Sequence, residues 1–231
     1  MKKNEELPEW EDVLSSAARL QQFLPEAVLV GGTASSIYAD HRLSCDADHV
    51  LTDLSEHFDK VLAQLESVAG WQTARTKRPV LILGSLDGVE TGVRQLIRKE
   101  PLEKTQKECY GQLVTVPTDK EILRIKGILI LNRNATRDYL DFVALADHLG
   151  NEKVCAALQS FDRFYQQTNG ESPLQQLIAQ LANAMPYDLE GTNLSEYKNL
   201  VPKWHDWNTV KKHCSDLTSI IFDFVASMEP F

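Results

Sequence analysis

The chain has 231 residues, with 24 basic and 33 acidic side chains and a net charge of −9. Its length allows one or two domains with a full core, and its charge excludes a molecule that attracts nucleic acid over its whole surface. Its four cysteines are scattered without a CxxC pair, which excludes the patterns of a zinc site or a disulfide framework. No apolar run approaches about 20 residues, so the sequence predicts a cytoplasmic protein without a membrane partner.

The first predicted elements are an amphipathic helix over about 10–24 and a buried strand at 27–30. Gly31 and Gly32 follow the strand directly, so the backbone can turn tightly and approach a ligand closely. Thr33 is predicted to cap a short helix over 34–39, whose free backbone amides would attract an anion such as a triphosphate. The loop lacks the Gly-Lys-Ser/Thr ending of a Walker loop and the glycine spacing of a dinucleotide site.

The next strand is predicted over 46–51 and carries two carboxylates on alternate residues. The period of two places Asp46 and Asp48 on the same face, where they repel each other unless a cation lies between them. Mg²⁺ is the expected cation, since it prefers hard oxygen ligands and bridges carboxylates to phosphates.

A helix over 55–68 and a hairpin over 80–96 follow, and Asp87-Gly88 is predicted as the turn of the hairpin. On the returning strand, Glu90 shares a face with Gly92 and Arg94. An exposed strand residue paired with Arg94 is the alternative interpretation of Glu90.

The capping-box spacing of Thr118 and Glu121 predicts a helix beginning at about residue 119. Lys126 lies inside an apolar run, where a lysine needs a specific reason, and it shares a helical face with Arg133. Another helix is predicted over 136–149, ended by Gly150, with Arg137 and Asp141 at ion-pair spacing. Beyond it, 151–185 and 207–228 have helical patterns, and Trp204 is predicted to anchor the polar stretch between them on the core.

Two ordered motifs resemble the nucleotidyltransferase superfamily, in the branch of the AbiEii-type toxins. The first is Gly31-Gly32-Thr33 followed by Arg42-Leu43-Ser44-Cys45-Asp46-Ala47-Asp48. The second extends over 117–127 and 132–141. The resemblance covers roughly residues 28–149. It implies an α+β fold, a minimal nucleotidyltransferase mixed sheet with flanking helices, followed by a helical C-terminal part. The predicted domains are a catalytic domain over 1–149 and a helical region over 150–231.

The resemblance also implies metal-dependent transfer of an NMP from an NTP to a hydroxyl, with Mg²⁺ or Mn²⁺ as the cofactor and pyrophosphate as the product. Asp46 and Asp48 would hold the metal together with a third carboxylate, for which Glu90 is preferred to Asp87. Lys126 would balance charge on the triphosphate. Further residues are implied in nucleotide binding: Gly31, Gly32, Thr33, Ser44, Arg133 and Asp138.

The acceptor stays open at this point. Related toxins use RNA, notably the 3′ end of tRNA, or a protein hydroxyl, and the resemblance implies a cognate antitoxin as a partner. The alternatives are a small-molecule nucleotidyltransferase of the aminoglycoside-modifying type, mildly favoured by the negative charge, and a non-catalytic nucleotide-binding module. Basic clusters at 75–78 and 94–107 fit either a nucleic-acid contact or solvated loops.

Overall fold

The computed structural model describes residues 8–98 and 100–227, which form two compact units. The first contains residues 8–37 and 44–117, and the second contains residues 38–43 and 118–227. The chain therefore enters the second unit briefly, returns to the first, and enters the second again after Pro117. These units do not coincide with the ranges 1–149 and 150–231, which remain a prediction about domain boundaries.

The first unit contains a mixed five-stranded sheet, a separate two-stranded sheet and helices, as the fold class predicted from the sequence requires. Its strands are β1 (Val28–Leu29), β2 (Asp46–Leu51), β3 (Trp71–Lys77), β4 (Leu81–Leu86), β5 (Val89–Gln95), β6 (Lys104–Cys109) and β7 (Gln112–Pro117). Its helices are α1 (Trp10–Phe23), α2 (Gly31–Ala39, whose last residues belong to the second unit) and α3 (Leu54–Glu66). The order in the large sheet is β1-β2-β5-β4-β3, and β2 and β5 are parallel.

One face of the large sheet is buried and the other is partly exposed. Along β2, Ala47, His49 and Leu51 are buried, whereas Asp46 and Asp48 lie on the partly exposed face. Helices α1 and α3 contribute apolar side chains to the same core cluster as Ile82, Leu86 and Val93 of the sheet. We call the opposite face, which carries the two carboxylates, the open face.

Turn chemistry explains the β4–β5 hairpin. Asp87 and Gly88 both have positive φ values, 53° and 85°, as the Asp-Gly signal predicts. The helix after β1 differs from the prediction: α2 begins at Gly31, so Thr33 lies in its first turn and is not its cap. Neither β3 nor the β6–β7 hairpin was predicted. Every residue of β3 except Trp71 is exposed, which removes the alternation that identifies a half-buried strand.

The second unit is helical in its described part. Its helices are α4 (Asp119–Arg133), α5 (Thr136–Leu149), α6 (Asn151–Leu158), α7 (Phe161–Phe164), α8 (Pro173–Ala182) and α9 (Trp207–Ser227), with 3-10 turns at Leu189–Gly191, Leu194–Glu196 and Pro202–Trp204. The Thr118 side chain accepts a hydrogen bond from the Glu121 amide at the start of α4, and Gly150 ends α5, as predicted. Trp204 is buried in the core, which confirms its anchoring role.

Candidate active site

The carboxylate pair lies on the open face at the start of β2. In the register with β5, Asp46 is beside Glu90 and Asp48 is beside Gly92. The Ser44 hydroxyl donates a 2.5 Å hydrogen bond to Asp46 Oδ1, and Arg94 Nη2 lies 3.7 Å from Asp48 Oδ1. The motif thus supplies both the carboxylates and a hydroxyl that orients one of them.

Gly92 makes room for the second carboxylate. A Cβ atom at this position would lie 2.4 Å from Asp48 Oδ1, closer than any real contact allows. Only glycine therefore fits beside Asp48 without displacing its carboxylate. The strand period predicts the face of Gly92 but not this role, although a glycine inside a strand is a recognised signal of close approach by another group.

The loop between β1 and α2 is tied to the strand that carries the carboxylates. Gly31 has a φ of 76°, and a Cβ atom there would lie 3.6 Å from Asp48 Cβ. The Val30 amide donates to the Asp48 carbonyl, and the Thr33 hydroxyl donates to the Asp46 carbonyl. Thr33 is buried, so its role in this structure is to hold α2 on β2, and its contact with a nucleotide stays a prediction.

The donor set fits a magnesium ion held by two carboxylates. Mg²⁺ is usually bound through one or two carboxylates and completes its octahedron with water and substrate phosphates. Within residues 8–98 and 100–227, no group of three His, Cys, Asp or Glu side chains is arranged to hold a metal. Glu90 is the sheet neighbour of Asp46, whereas Asp87 lies in the β4–β5 turn and pairs with Arg19.

Lys126, Asp138 and Asp141 of the second motif form a buried charge cluster with Arg42 and His41 in the second unit. Asp141 is fully buried and accepts hydrogen bonds from Arg42 Nε at 2.8 Å and Nη2 at 3.1 Å. Lys126 Nζ lies 2.6 Å and His41 Nε2 lies 2.8 Å from the same carboxylate. Burial alone would raise the pKa of Asp141, but Arg42, Lys126 and His41 together hold it well below its usual range.

This cluster explains the lysine in the apolar run. Lys126 is 2% exposed, and its ammonium also lies 3.5 Å from Asp138 Oδ1. Its charge is thus balanced inside the protein, and its contact with a triphosphate stays a prediction. Asp141 pairs with Lys126 and Arg42, and in the described part of the chain no ion pair joins it to Arg137, the partner that helical spacing offered.

Arg133 is more accessible than Lys126. Its side chain is 40% exposed and donates to Asp138 Oδ1 at 2.9 Å, whereas Asp138 is fully buried. Arg133 also lines a cavity of about 620 Å³ within the second unit. The cavity walls combine guanidinium, phenol and carboxylate groups, contributed with Arg133 by Ala135, Arg137, Tyr187, Asp188 and Tyr197.

The fold of the chain is similar to two solved structures. A "putative nucleotidyltransferase" from H. pylori superposes with a TM-score of 0.54 at 14% identity, covering 98% of this chain and 100% of that one. The antibiotic-resistance factor ANT(2'')-Ia superposes with a TM-score of 0.50 at 12% identity, covering 66% of this chain and 90% of that one. The chain has the nucleotidyltransferase fold. No family model matches the sequence. Membership of the AbiEii branch stays a prediction.

Curated relatives match by sequence over a part of their length. The chain is 30% identical over 220 residues to the heme uptake protein MmpL11 of Mycobacterium tuberculosis (strain H37Rv), an alignment that covers 87% of this chain and 22% of that protein. The mycolic acid-containing lipids exporter MmpL11 of Mycolicibacterium smegmatis is 31% identical over 120 residues, covering 51% of this chain and 12% of that protein. The chain thus spans about a fifth or less of these relatives. None of its described helices is long and apolar enough to cross a bilayer.

Proposed function

We propose that the protein is a Mg²⁺-dependent nucleotidyltransferase that moves an NMP from an NTP to a hydroxyl acceptor and releases pyrophosphate. The observation that carries this proposal is the placement of Asp46 and Asp48 on one partly exposed face of β2, beside the glycine start of α2. The nucleotidyltransferase fold around this pair supports it further. A metal between the carboxylates would remove the repulsion that this arrangement otherwise imposes.

Asp46 and Asp48 would hold the metal, and Mn²⁺ is the expected substitute for Mg²⁺. When bound there, the ion would neutralise charge on the triphosphate and favour ionisation of the acceptor hydroxyl. Glu90 is proposed to turn towards the metal as the third carboxylate when the ion binds. It is the neighbour of Asp46 across the β2–β5 pairing, although among the described residues no three such side chains are grouped around a common metal position.

The surrounding residues position these groups. Ser44 fixes the orientation of Asp46 through its hydrogen bond, and Gly92 leaves the space that the Asp48 carboxylate fills. The amides of Gly31 and Gly32, at the start of α2, are proposed to bind phosphate oxygens of the nucleotide.

The residues of the second motif are also proposed to act on the nucleotide. Arg133 is the strongest of them because its guanidinium is partly exposed, so it can reach an anion without unfolding its surroundings. Lys126 and Asp138 are proposed to support it from the buried cluster, where their charges are mutually balanced.

For the acceptor we propose a macromolecular hydroxyl, on RNA such as the 3′ end of tRNA or on a protein, in the manner of a toxin controlled by a cognate antitoxin. The support for this finer statement is the order and spacing of the two AbiEii-like motifs. The likeness to ANT(2'')-Ia lies at the level of the fold and gives no preference to an aminoglycoside acceptor.

The test is incubation with each α-³²P-labelled NTP and Mg²⁺ in the presence of total bacterial RNA and protein. The Asp46→Asn/Asp48→Asn variant is the inactive form, and Glu56→Gln on α3 is the control for loss of an exposed negative charge away from the pair. Label on RNA or protein with the wild type and Glu56→Gln, but not with the double variant, is the expected result. Absence of transfer with all four nucleotides, in Mg²⁺ and in Mn²⁺, would contradict the proposal.

A further inference from the structure

The strand register places basic residues on the open face, in line with the carboxylates. Arg75 of β3 pairs with Leu83 of β4, which pairs with Gly92 of β5, which pairs with Asp48 of β2. Paired residues share a face, so Arg75 and Asp48 lie on the same side of the sheet in one cross-strand row. Three strand spacings separate them, about 14 Å, at about 4.8 Å between neighbouring strands.

A second row runs parallel to the first. Lys77 of β3 pairs with Leu81 of β4, and Leu81 pairs with Arg94 of β5. The β-bulge after Thr73 shifts the register of β3, and through this shift Arg75 and Lys77 face the same side as Arg94. The three cations therefore share the open face with the carboxylates. Arg75 and Lys77 lie on the edge strand β3, and Arg94 lies on β5, next to the strand that carries Asp46 and Asp48.

Arg94 lies 3.7 Å from Asp48, but no acid balances the charges of Arg75 and Lys77 in the described residues. Arg75 and Lys77 are exposed, and across residues 8–98 and 100–227 neither forms an ion pair. By contrast, neighbouring Arg78 pairs with Asp59 of α3. Two uncompensated cations on one face are a local basic surface in a chain whose net charge is −9.

We infer that the open-face residues Arg75 and Lys77, with Arg94 between them and the carboxylates, bind the phosphate backbone of a single-stranded RNA acceptor. This inference rests on the proposed function and adds the class of the acceptor. Cations at intervals along a sheet suit a chain of regularly spaced phosphates, and the partly exposed Leu81 and Leu83 offer apolar contact to the bases or sugars between them.

Other occupants of this face lead to different results. A protein acceptor has no regular array of negative charges to match the two rows. Positive residues on an edge strand also serve to prevent sheets from pairing edge to edge, and that role needs no ligand. Both alternatives predict that Arg75 and Lys77 have no special effect on RNA affinity.

The experiment measures the affinity of the whole chain for a fluorescein-labelled oligouridylate of about a dozen nucleotides, by anisotropy and without NTP. The test variant is Arg75→Gln/Lys77→Gln. The control, Lys60→Gln/Lys153→Gln, removes the same charge from exposed positions of α3 and α6. Since α3 contributes to the core on the other face of the sheet, Lys60 lies away from the open face.

Each phosphate contact on a single strand contributes about 0.7 to the slope of log affinity against log salt. Loss of two contacts should lower the magnitude of that slope by about 1.4. With equal affinity of the two proteins at about 1 M salt as the reference, the variant should bind roughly 10-fold more weakly at about 200 mM salt and roughly 70-fold more weakly at about 50 mM. The control variant should bind like the wild type. Adding Thr76→Lys to the test variant returns a cation to β3 on the opposite face, and it should not restore binding.

Equal weakening in the test and control variants, unchanged affinity in the test variant, or restoration by Thr76→Lys would overturn the inference. So would a wild type that does not bind the oligonucleotide, even if it labels a protein acceptor. A wild type that binds RNA through Arg75 and Lys77 but transfers no NMP would instead count against the proposed function. The two failures are therefore distinguishable.

Discussion

Replacement of Asp141 by Asn tests the buried charge cluster most directly. The Asp141 carboxylate is fully buried and forms ion pairs with both Lys126 and Arg42, with His41 also hydrogen-bonded to it. Removing one partner of a buried ion pair costs about 3–5 kcal/mol, because the remaining charge stays buried without compensation. At about 2–4 °C for each kcal/mol in a protein of this size, the Tm should fall by about 6–20 °C.

The matched control lies on the same helix. Asp147 pairs with Lys203 at 2.7 Å, but both side chains are about half exposed, so water and salt screen this pair. Asp147→Asn should therefore cost no more than about 1 kcal/mol. Differential scanning calorimetry of the two variants beside the wild type measures the difference. A Tm loss in Asp141→Asn no greater than that in Asp147→Asn would refute the reasoning.

The same variant has a defined pH dependence. Because the folded state holds the pKa of Asp141 well below its usual range, its contribution to stability is fully present above the unfolded pKa of about 3.9. That contribution is lost as the pH falls through the lower folded value. The wild type should thus lose stability more steeply below about pH 4 than Asp141→Asn does. Parallel acid transitions would show that Asp141 is not the group responsible.

Two further variants test individual positions on β2 and β5. Gly92→Ala places a Cβ atom 2.4 Å from Asp48 Oδ1, so the carboxylate must move. Displacement of a catalytic group by about 1 Å lowers a rate by about 100-fold, and we expect NMP transfer to fall by about this factor. Gly191→Ala, where a Cβ meets open space, is its control, and equal transfer rates in the two would contradict this account. Burial lowers the pKa of His49 to about 4, although a hydrogen bond to Ala47 partly opposes the shift. As the pH falls below 6.5, His49 gains its proton in the unfolded state before it does so in the folded state. The free energy of unfolding of the wild type should therefore fall by about 3 kcal/mol between pH 7 and pH 4. Urea titrations should show a smaller fall in His49→Leu.

Local signals in the sequence were enough to predict much of the fold. The Asp87-Gly88 turn, the Thr118 cap of α4 and the end of α5 at Gly150 each depend on a few neighbouring residues, and each is confirmed. The alternation along β2 also placed Asp46 and Asp48 on one face, because side-chain direction in a strand follows from the period of two alone.

Features that depend on distant residues could not be predicted in this way. The partner of Lys126 is set by the packing of α4 on α5, and Arg42, which binds the same carboxylate, is 99 positions from Asp141 in the sequence. The edge strand β3 has no buried face to give it a pattern. The residue type of Thr33 suits a helix cap, but its hydroxyl donates instead to the backbone carbonyl of Asp46, on a separate strand.

The short segment 38–43 limits how the protein can be divided into fragments. It belongs to the second unit, where the His41 carbonyl accepts from the Val201 amide and the Leu43 amide donates to the Lys198 carbonyl. A fragment that starts at residue 118 would lack these bonds and would leave Asp141 without Arg42. Neither unit is encoded by one continuous stretch of the gene, so expression of the helical unit alone requires this segment to be grafted on or added in trans as a peptide.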